Sequence, residues 1–162
     1  NTYSGIYGLD RFPYHTDLAH WPTPPRYLML RCLTGHADVP TQLVDGHALI
    51  ETVTLDILTR AIFKPRRPRE GVLSLLRLCE RIDGNHRLRW DGMFLKPASR
   101  IGDIADQQVR EWLAQCDPLS IALERAGDTL LVDNWRMLHA RSPIPPGRQD
   151  RKLERIYLGS LH

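Results

Sequence analysis

The sequence predicts a mainly β protein, an antiparallel sandwich or barrel with two or so helices packed outside it. Three observations carry that expectation. Short segments with period-two alternation recur along the chain, Gly- and Pro-containing turns separate them, and only two stretches change to helical spacing. About eight short strands with two helices suit antiparallel packing far better than an alternating βαβ protein. The 162 residues are one domain's worth of chain, large enough to hold a core without a disulfide or structural metal.

The elements follow in chain order. Residues 26–33 (RYLMLRCL) and 41–45 (TQLVD) read as strands. Residues 46–63 change period: Ile50, Val53, Ile57 and Ala61 fall on one helical face, as for a helix lying on a sheet. The basic run at 64–69 (KPRRPR) holds two prolines and reads as a solvated loop. Strand-like residues 72–81 and 87–90 flank Asp83-Gly84-Asn85, where the Asp-Gly pair tolerates positive φ and predicts a hairpin. Val109, Leu113 and Cys116 place a second helix over 104–116. Residues 120–125 alternate again, Ala126-Gly127-Asp128 turns the chain, and 129–133 and 151–160 are the remaining strands.

Composition excludes several classes. With 22 Lys+Arg against 19 Asp+Glu, a surplus of +3 is too small for a nucleic-acid footprint. No apolar run approaches the roughly 20 residues of a membrane-spanning helix. Cys32, Cys79 and Cys116 are odd in number, widely spaced and never in a CxxC pattern, so each reads as a small buried hydrophobe. A reducing compartment, the cytoplasm, is the expected location. The chain opens on Asn1 without a basic-then-apolar leader, so no secretory signal is expected and part of the natural N-terminus is expected to lie outside this sequence.

The chemistry begins at His15-Thr16-Asp17. In an extended segment His15 and Asp17 share a face while Thr16 points the other way, so an imidazole and a carboxylate can meet one divalent ion. A lone HxD triplet also arises by chance. At the other end, residues 132–141 (VDNWRMLHAR) place His139 just beyond a tight polar turn. Two histidines and a carboxylate make the facial set that suits non-haem Fe(II), leaving three positions open for a chelating cosubstrate and dioxygen. No cysteine lies near enough in sequence to suggest a tetrahedral zinc site. On an extended 151–158, Arg151, Leu153, Arg155 and Tyr157 share one face, and Lys152, Glu154, Ile156 and Leu158 the other. Arginines on an inward face need anions, and a guanidinium offers a planar fork for a carboxylate. The competing placement is an edge strand with both arginines in solvent.

Taken in order, these pieces resemble the Fe(II)/2-oxoglutarate-dependent oxygenases of the taurine dioxygenase, γ-butyrobetaine hydroxylase and clavaminate synthase-like superfamily. The resemblance runs through Pro13-Tyr14-His15-Thr16-Asp17, Pro24-Pro25 ahead of the strand at 27–33, Thr41, Val44-Asp45-Gly46, residues 88–91, Gly127-Asp128, 133–141 and 151–157. It implies a double-stranded β-helix, or jelly roll, as a single catalytic domain over 1–162, short of an N-terminal segment usual in that superfamily. It implies that His15, Asp17 and His139 ligate iron. It implies that Arg151 pairs with the distal carboxylate of 2-oxoglutarate in preference to Arg148 and Arg155, having Leu153 two residues and Tyr157 six residues further on. Thr41 assists through its hydroxyl, although Asp38-Val39-Pro40 stands where the superfamily usually has Gly-Gly-Asp or Gly-Gly-Glu. Arg155 matches a position that reaches toward a substrate's anionic group.

The implied activity is that of a dioxygenase using Fe(II), 2-oxoglutarate and O2 to hydroxylate or desaturate a small, anionic or zwitterionic molecule, releasing succinate and CO2. Asp17 favours this over halogenation, because halogenating relatives carry a small non-ligating residue there. The expected partner is a small molecule, with neither nucleic acid nor membrane; oligomeric state stays open, relatives often pairing. Two alternatives stand beside it: a non-catalytic or degenerate metal-binding jelly roll, and a cupin-like metal enzyme that does not use 2-oxoglutarate. Neither accounts for Thr41 together with Arg151. Tyr14, Trp21 and Trp90 are candidates for the substrate pocket, with packing as the competing role. Trp135 is expected to brace the turn before His139, and Arg141 to support that turn. His20, His36, His47, His86 and His162 lack a partner at ligand spacing and are expected at the surface or in hydrogen bonds.

Overall fold

The alternation of the sequence becomes two facing antiparallel sheets in the computed structural model, which describes residues 3–67 and 71–161. Pro68 and Arg69 of the basic run, and His162, lie outside the described residues. The chain begins with a short helix α1 (Tyr3–Tyr7) and strands β1 (Phe12–His15), β2 (Tyr27–Thr34) and β3 (Thr41–Asp45). Helices α2 (Gly46–Val53) and α3 (Leu55–Arg60) lead to β4 (Ile62–Pro65), β5 (Leu76–Arg77), and the hairpin of β6 (Cys79–Ile82) and β7 (Asn85–Leu88). Then come β8 (Leu95–Pro97), the long helix α4 (Arg100–Gln115), β9 (Leu119–Ile121), β10 (Thr129–Asp133), β11 (Met137–Arg141) and β12 (Lys152–Leu158).

One sheet has the order β1-β11-β3-β9 and the facing one β10-β2-β12. Between them Leu28, Leu30 and Cys32 of β2 meet Leu43 of β3 and Val132 of β10, all buried. The side chains one residue out of phase, Val44 of β3 and Leu138 of β11, point behind the four-stranded sheet. There they join Leu49, Leu58, Phe63 and Val109 of the flanking helices and β4. A period of two thus divides one strand between two cores. Each fully buried leucine contributes about 1.5–3 kcal/mol of transfer free energy. No helix among the described residues is long and apolar enough to cross a membrane.

Several boundaries differ from expectation for local reasons. The helix expected over 46–63 is broken at Thr54, where φ is 76°. It becomes α2, capped by Asp45 accepting from the His47 N–H, and α3, while Ile62 and Phe63 already belong to β4. Lys64 and Pro65 continue that strand opposite Lys96 and Leu95 instead of forming the expected loop. Pro65 is tolerated because β5 pairs only with Ile62 and Phe63, so this end of β4 is bonded on one side. The second helix starts at Arg100, before the expected residue 104, because the Ser99 hydroxyl accepts from the Gly102 N–H at 3.0 Å. Twelve strands are described where about eight are expected; β1, β4, β5 and β8 are only two to four residues long. The Asp-Gly hairpin forms as expected, with φ of 47° at Asp83 and 79° at Gly84 between paired Ile82 and Asn85.

Candidate metal centre

Strands β1 and β11 are antiparallel neighbours, and their register sets His15 opposite His139 with ring centroids 4.4 Å apart. Asp17 follows two residues beyond His15, and Leu18, at φ 55°, turns the chain away. Thr16 is buried and faces away from the centre: its N–H donates to the Trp90 carbonyl at 2.8 Å and its hydroxyl accepts from the Trp90 N–H at 3.1 Å. Asn134, 1% exposed in the turn between β10 and β11, accepts from the Asp17 N–H at 2.7 Å. It also donates to the Asp17 carbonyl at 3.0 Å and the Pro25 carbonyl at 2.9 Å. Trp135 braces the same turn through its indole N–H on the Pro24 carbonyl at 3.1 Å, as the sequence predicts.

The three side chains converge. Asp17 Oδ1 lies 3.2 Å from His15 Nε2 and 3.3 Å from His139 Nε2, and one donor atom of each residue lies within 4.8 Å of the others. All three are buried. His15 Nδ1 sits 2.8 Å from the Pro13 carbonyl, an acceptor that requires a ring proton on Nδ1 and aims Nε2 at Asp17. Burial and the neighbouring His15 push His139 down to about 4, so its imidazole is neutral at physiological pH. Burial works to raise the Asp17 carboxyl, but His139, His15 and Arg155 outweigh it and hold the group well below the usual carboxylate range. Nε2 of His139 is buried without a satisfied hydrogen bond among the described residues. Two imidazoles and a carboxylate converging on one point, with Nε2 of His139 unclaimed, fit a divalent transition-metal ion.

A cavity of about 240 Å³ opens beside this centre, lined by His15 and His139, by Thr41, and by Arg141, Arg151 and Arg155. Thr41 and Arg141 are register partners on β3 and β11, so both face the sandwich interior. Arg151 precedes β12; its Nε is buried with no hydrogen-bond partner among the described residues. Arg155 Nη1 lies 3.2 Å from Asp17 Oδ1 and 3.0 Å from Oδ2, and its side chain is 41% exposed. The Tyr157 hydroxyl donates to Asp17 Oδ2 at 3.1 Å. The inward face of β12 is therefore the predicted one.

Other expectations land elsewhere. Tyr14 points behind β1, away from His15, and packs against the core under the helices. The Trp21 carbonyl accepts from Arg89 at 2.6 Å, and neither residue is part of the cavity wall. Trp90 is buried in the rear core, edge-on to Phe63 at 6.2 Å. Arg141 does not reach the turn before His139, which lies at the opposite end of β11. Its Nη2 donates to the Gly8 and Asp10 carbonyls at 2.8 and 2.6 Å, and its guanidinium stacks on Phe12 at 3.7 Å. Burial and the charge of Arg151 lower its pKa to about 10. Arg148 pairs with Asp38 at 3.1 Å and His36 with Asp150 at 2.8 Å. The residues that sequence reasoning does not single out are Asn134, Arg89 and the Tyr157 hydroxyl. Their partners are far away in sequence, although a polar Asn at the end of the apolar strand 129–133 is a signal that could have been followed.

Known proteins resemble the chain in sequence and in fold. Clavaminate synthase 2 of Streptomyces clavuligerus is 26% identical across 90% of this chain and 49% of its own length. Asparagine oxygenase in complex with Fe(II), 2S,3S-3-hydroxyasparagine and succinate superposes with a TM-score of 0.74 at 19% identity, over 92% of this chain and 50% of its own. The chain is similar in sequence to clavaminate synthase 2 and shares the fold of asparagine oxygenase. The non-haem iron oxygenase OrfP, in complex with Fe and alpha-ketoglutaric acid, matches this chain over 91% of its length and 49% of the OrfP chain. That match has a TM-score of 0.70 at 22% identity. The double-stranded β-helix is thus established, and the chain spans about half the length of the relatives it matches. No family model matches it.

Proposed function

We propose that this chain forms the iron- and 2-oxoglutarate-binding core of a dioxygenase acting on a small anionic or zwitterionic molecule. The observation that carries the proposal is the convergence of His15, Asp17 and His139 within 4.8 Å beside an arginine-lined cavity. These residues would hold Fe(II), which with a 2-oxo acid and dioxygen supplies oxidation of an unactivated C–H bond, leaving succinate and CO2. Arg151 and Thr41 would take the distal carboxylate of the oxo acid: a half-buried guanidinium with an unpartnered Nε calls for an anion. Arg155, partly exposed at the cavity wall, would receive the acidic group of the substrate. Asn134 fixes the Asp17 peptide, and Leu30 and Leu153 line the cavity with apolar surface that excludes water. Hydroxylation or desaturation is the expected outcome, Asp17 occupying the position that a halogenating relative leaves empty of a ligand. OrfP in complex with Fe, succinate and (3S)-hydroxy-L-Arg supports an amino-acid-like substrate.

The test is conversion of 2-oxoglutarate to succinate with Fe(II) and a panel of amino acids. Turnover should be abolished in His139→Ala, and its stimulation by a zwitterionic amino acid should be lost in Arg155→Ala. Succinate at wild-type levels in His139→Ala would contradict the assignment; metal binding without any 2-oxoglutarate consumption would favour a non-catalytic jelly roll.

A further inference from the structure

We propose that Tyr157 is a positioning residue that makes Asp17 a one-oxygen ligand, so that Oδ1 alone is presented to the metal. The proposal rests on the reading of His15, Asp17 and His139 as a divalent metal site. The two carboxylate oxygens of Asp17 have different surroundings. Oδ1 lies 3.2 and 3.3 Å from the Nε2 atoms of His15 and His139, whereas Oδ2 accepts the Tyr157 hydroxyl at 3.1 Å. Arg155 does not distinguish them, since its Nη1 lies 3.2 Å from Oδ1 and 3.0 Å from Oδ2.

Asn134 already pins the Asp17 backbone through both its N–H and its carbonyl. The freedom that remains is rotation about the side chain's own bonds, and the phenol opposes that rotation. Its hold comes from the facing sheet: Tyr157 is on β12, next to β2, while Asp17 follows β1 in the other sheet. A hydrogen bond to an ionised carboxylate is among the stronger ones available. Three donors contributing one atom each leave three octahedral positions open, whereas a carboxylate using both oxygens closes one of them. Partners behind metal ligands typically change metal affinity by about 10- to 100-fold.

Tyr157 is 41% exposed, so Tyr157→Phe removes the hydroxyl while keeping the ring and its packing. The experiment titrates the whole chain with Mn(II) alone and follows water-proton relaxation, which reports both affinity and the number of exchangeable waters on the bound ion. Tyr157→Phe is expected to carry one exchangeable water fewer than wild type, with affinity changed by about tenfold or more. Arg155→Lys, which alters the neighbour that touches both oxygens, is expected to keep the wild-type water number. An unchanged water number in Tyr157→Phe overturns the proposal, and so does the same loss in both variants, which would mark a general loosening. Failure of the wild-type chain to bind Mn(II) would instead sink the metal reading beneath it.

Discussion

The Asn134 amide joins two parts of the metal centre that lie 117 residues apart in sequence. Replacing it by alanine strands the buried N–H and carbonyl of Asp17, at a cost on the order of 1–3 kcal/mol for each group. Urea denaturation of Asn134→Ala should show that loss, and metal affinity should fall with it because Asp17 is no longer held. Arg151 has a different role, facing the cavity with an unpartnered Nε. Arg151→Ala is expected to weaken 2-oxoglutarate binding by about 10- to 100-fold, the equivalent of one charged hydrogen-bonded contact. Arg148→Ala should leave that binding unchanged, since Arg148 is engaged by Asp38. Anaerobic titration of the two variants separates the assignments; a larger loss in Arg148→Ala would reverse them.

At the scale of elements, the β6–β7 hairpin supports the loop beyond Asp17. Glu80 on β6 accepts from Arg87 on β7 at 2.7 Å and from Arg89 at 2.8 Å, and Arg89, 1% exposed, donates to the carbonyls of Ala19, Trp21 and Pro22. Burial raises the Glu80 carboxyl, but the hydrogen bonds from Arg87 and Arg89 outweigh it and hold the group below 4.5. Its contribution to stability is therefore complete above about pH 4.5 and is lost as the pH falls through the lower folded value. Glu80→Gln should flatten the acid limb of stability against pH, read from urea midpoints between about pH 3 and 7. A parallel acid limb in the variant would contradict that role. A further prediction concerns Gly46, which opens α2 beside the turn that sets His139. A Cβ there would run into the Arg136 carbonyl oxygen and a Leu88 methyl, so Gly46→Ala should lower the thermal midpoint.

The same elements show what the sequence makes legible. The shared face of Arg151, Leu153, Arg155 and Tyr157 along residues 151–158 follows from a period of two, whereas Thr41 is drawn to the same site only by the family resemblance. The Asp83-Gly84 turn is equally local. The break at Thr54 is not, because a β-branched residue rarely takes a positive φ and only tertiary packing imposes it. Strands of two to four residues show no period. The contact of Arg89 with the 19–22 loop leaves no local trace at either end, and that of Asn134 with Asp17 leaves only the polar residue that closes the apolar strand 129–133.

For the whole molecule, the centre is divided between the sheets. His15, His139 and Thr41 belong to the four-stranded sheet, and Arg155 and Tyr157 to the three-stranded one. A ligand bound between them stabilises the folded chain by about 2.7 kcal/mol when present at 100 times its Kd. For a chain of this size that corresponds to a rise of roughly 5–10 °C in Tm. Mn(II) or Co(II) should produce that rise, a chelator should reverse it, and His139→Ala should abolish it. The most direct test of the central claim is anaerobic addition of Fe(II) and 2-oxoglutarate to the intact chain, watched in the visible spectrum. The metal-to-oxo-acid charge-transfer band is predicted for wild type and its loss for His139→Ala; no band in wild type, or an undiminished one in His139→Ala, would contradict the account.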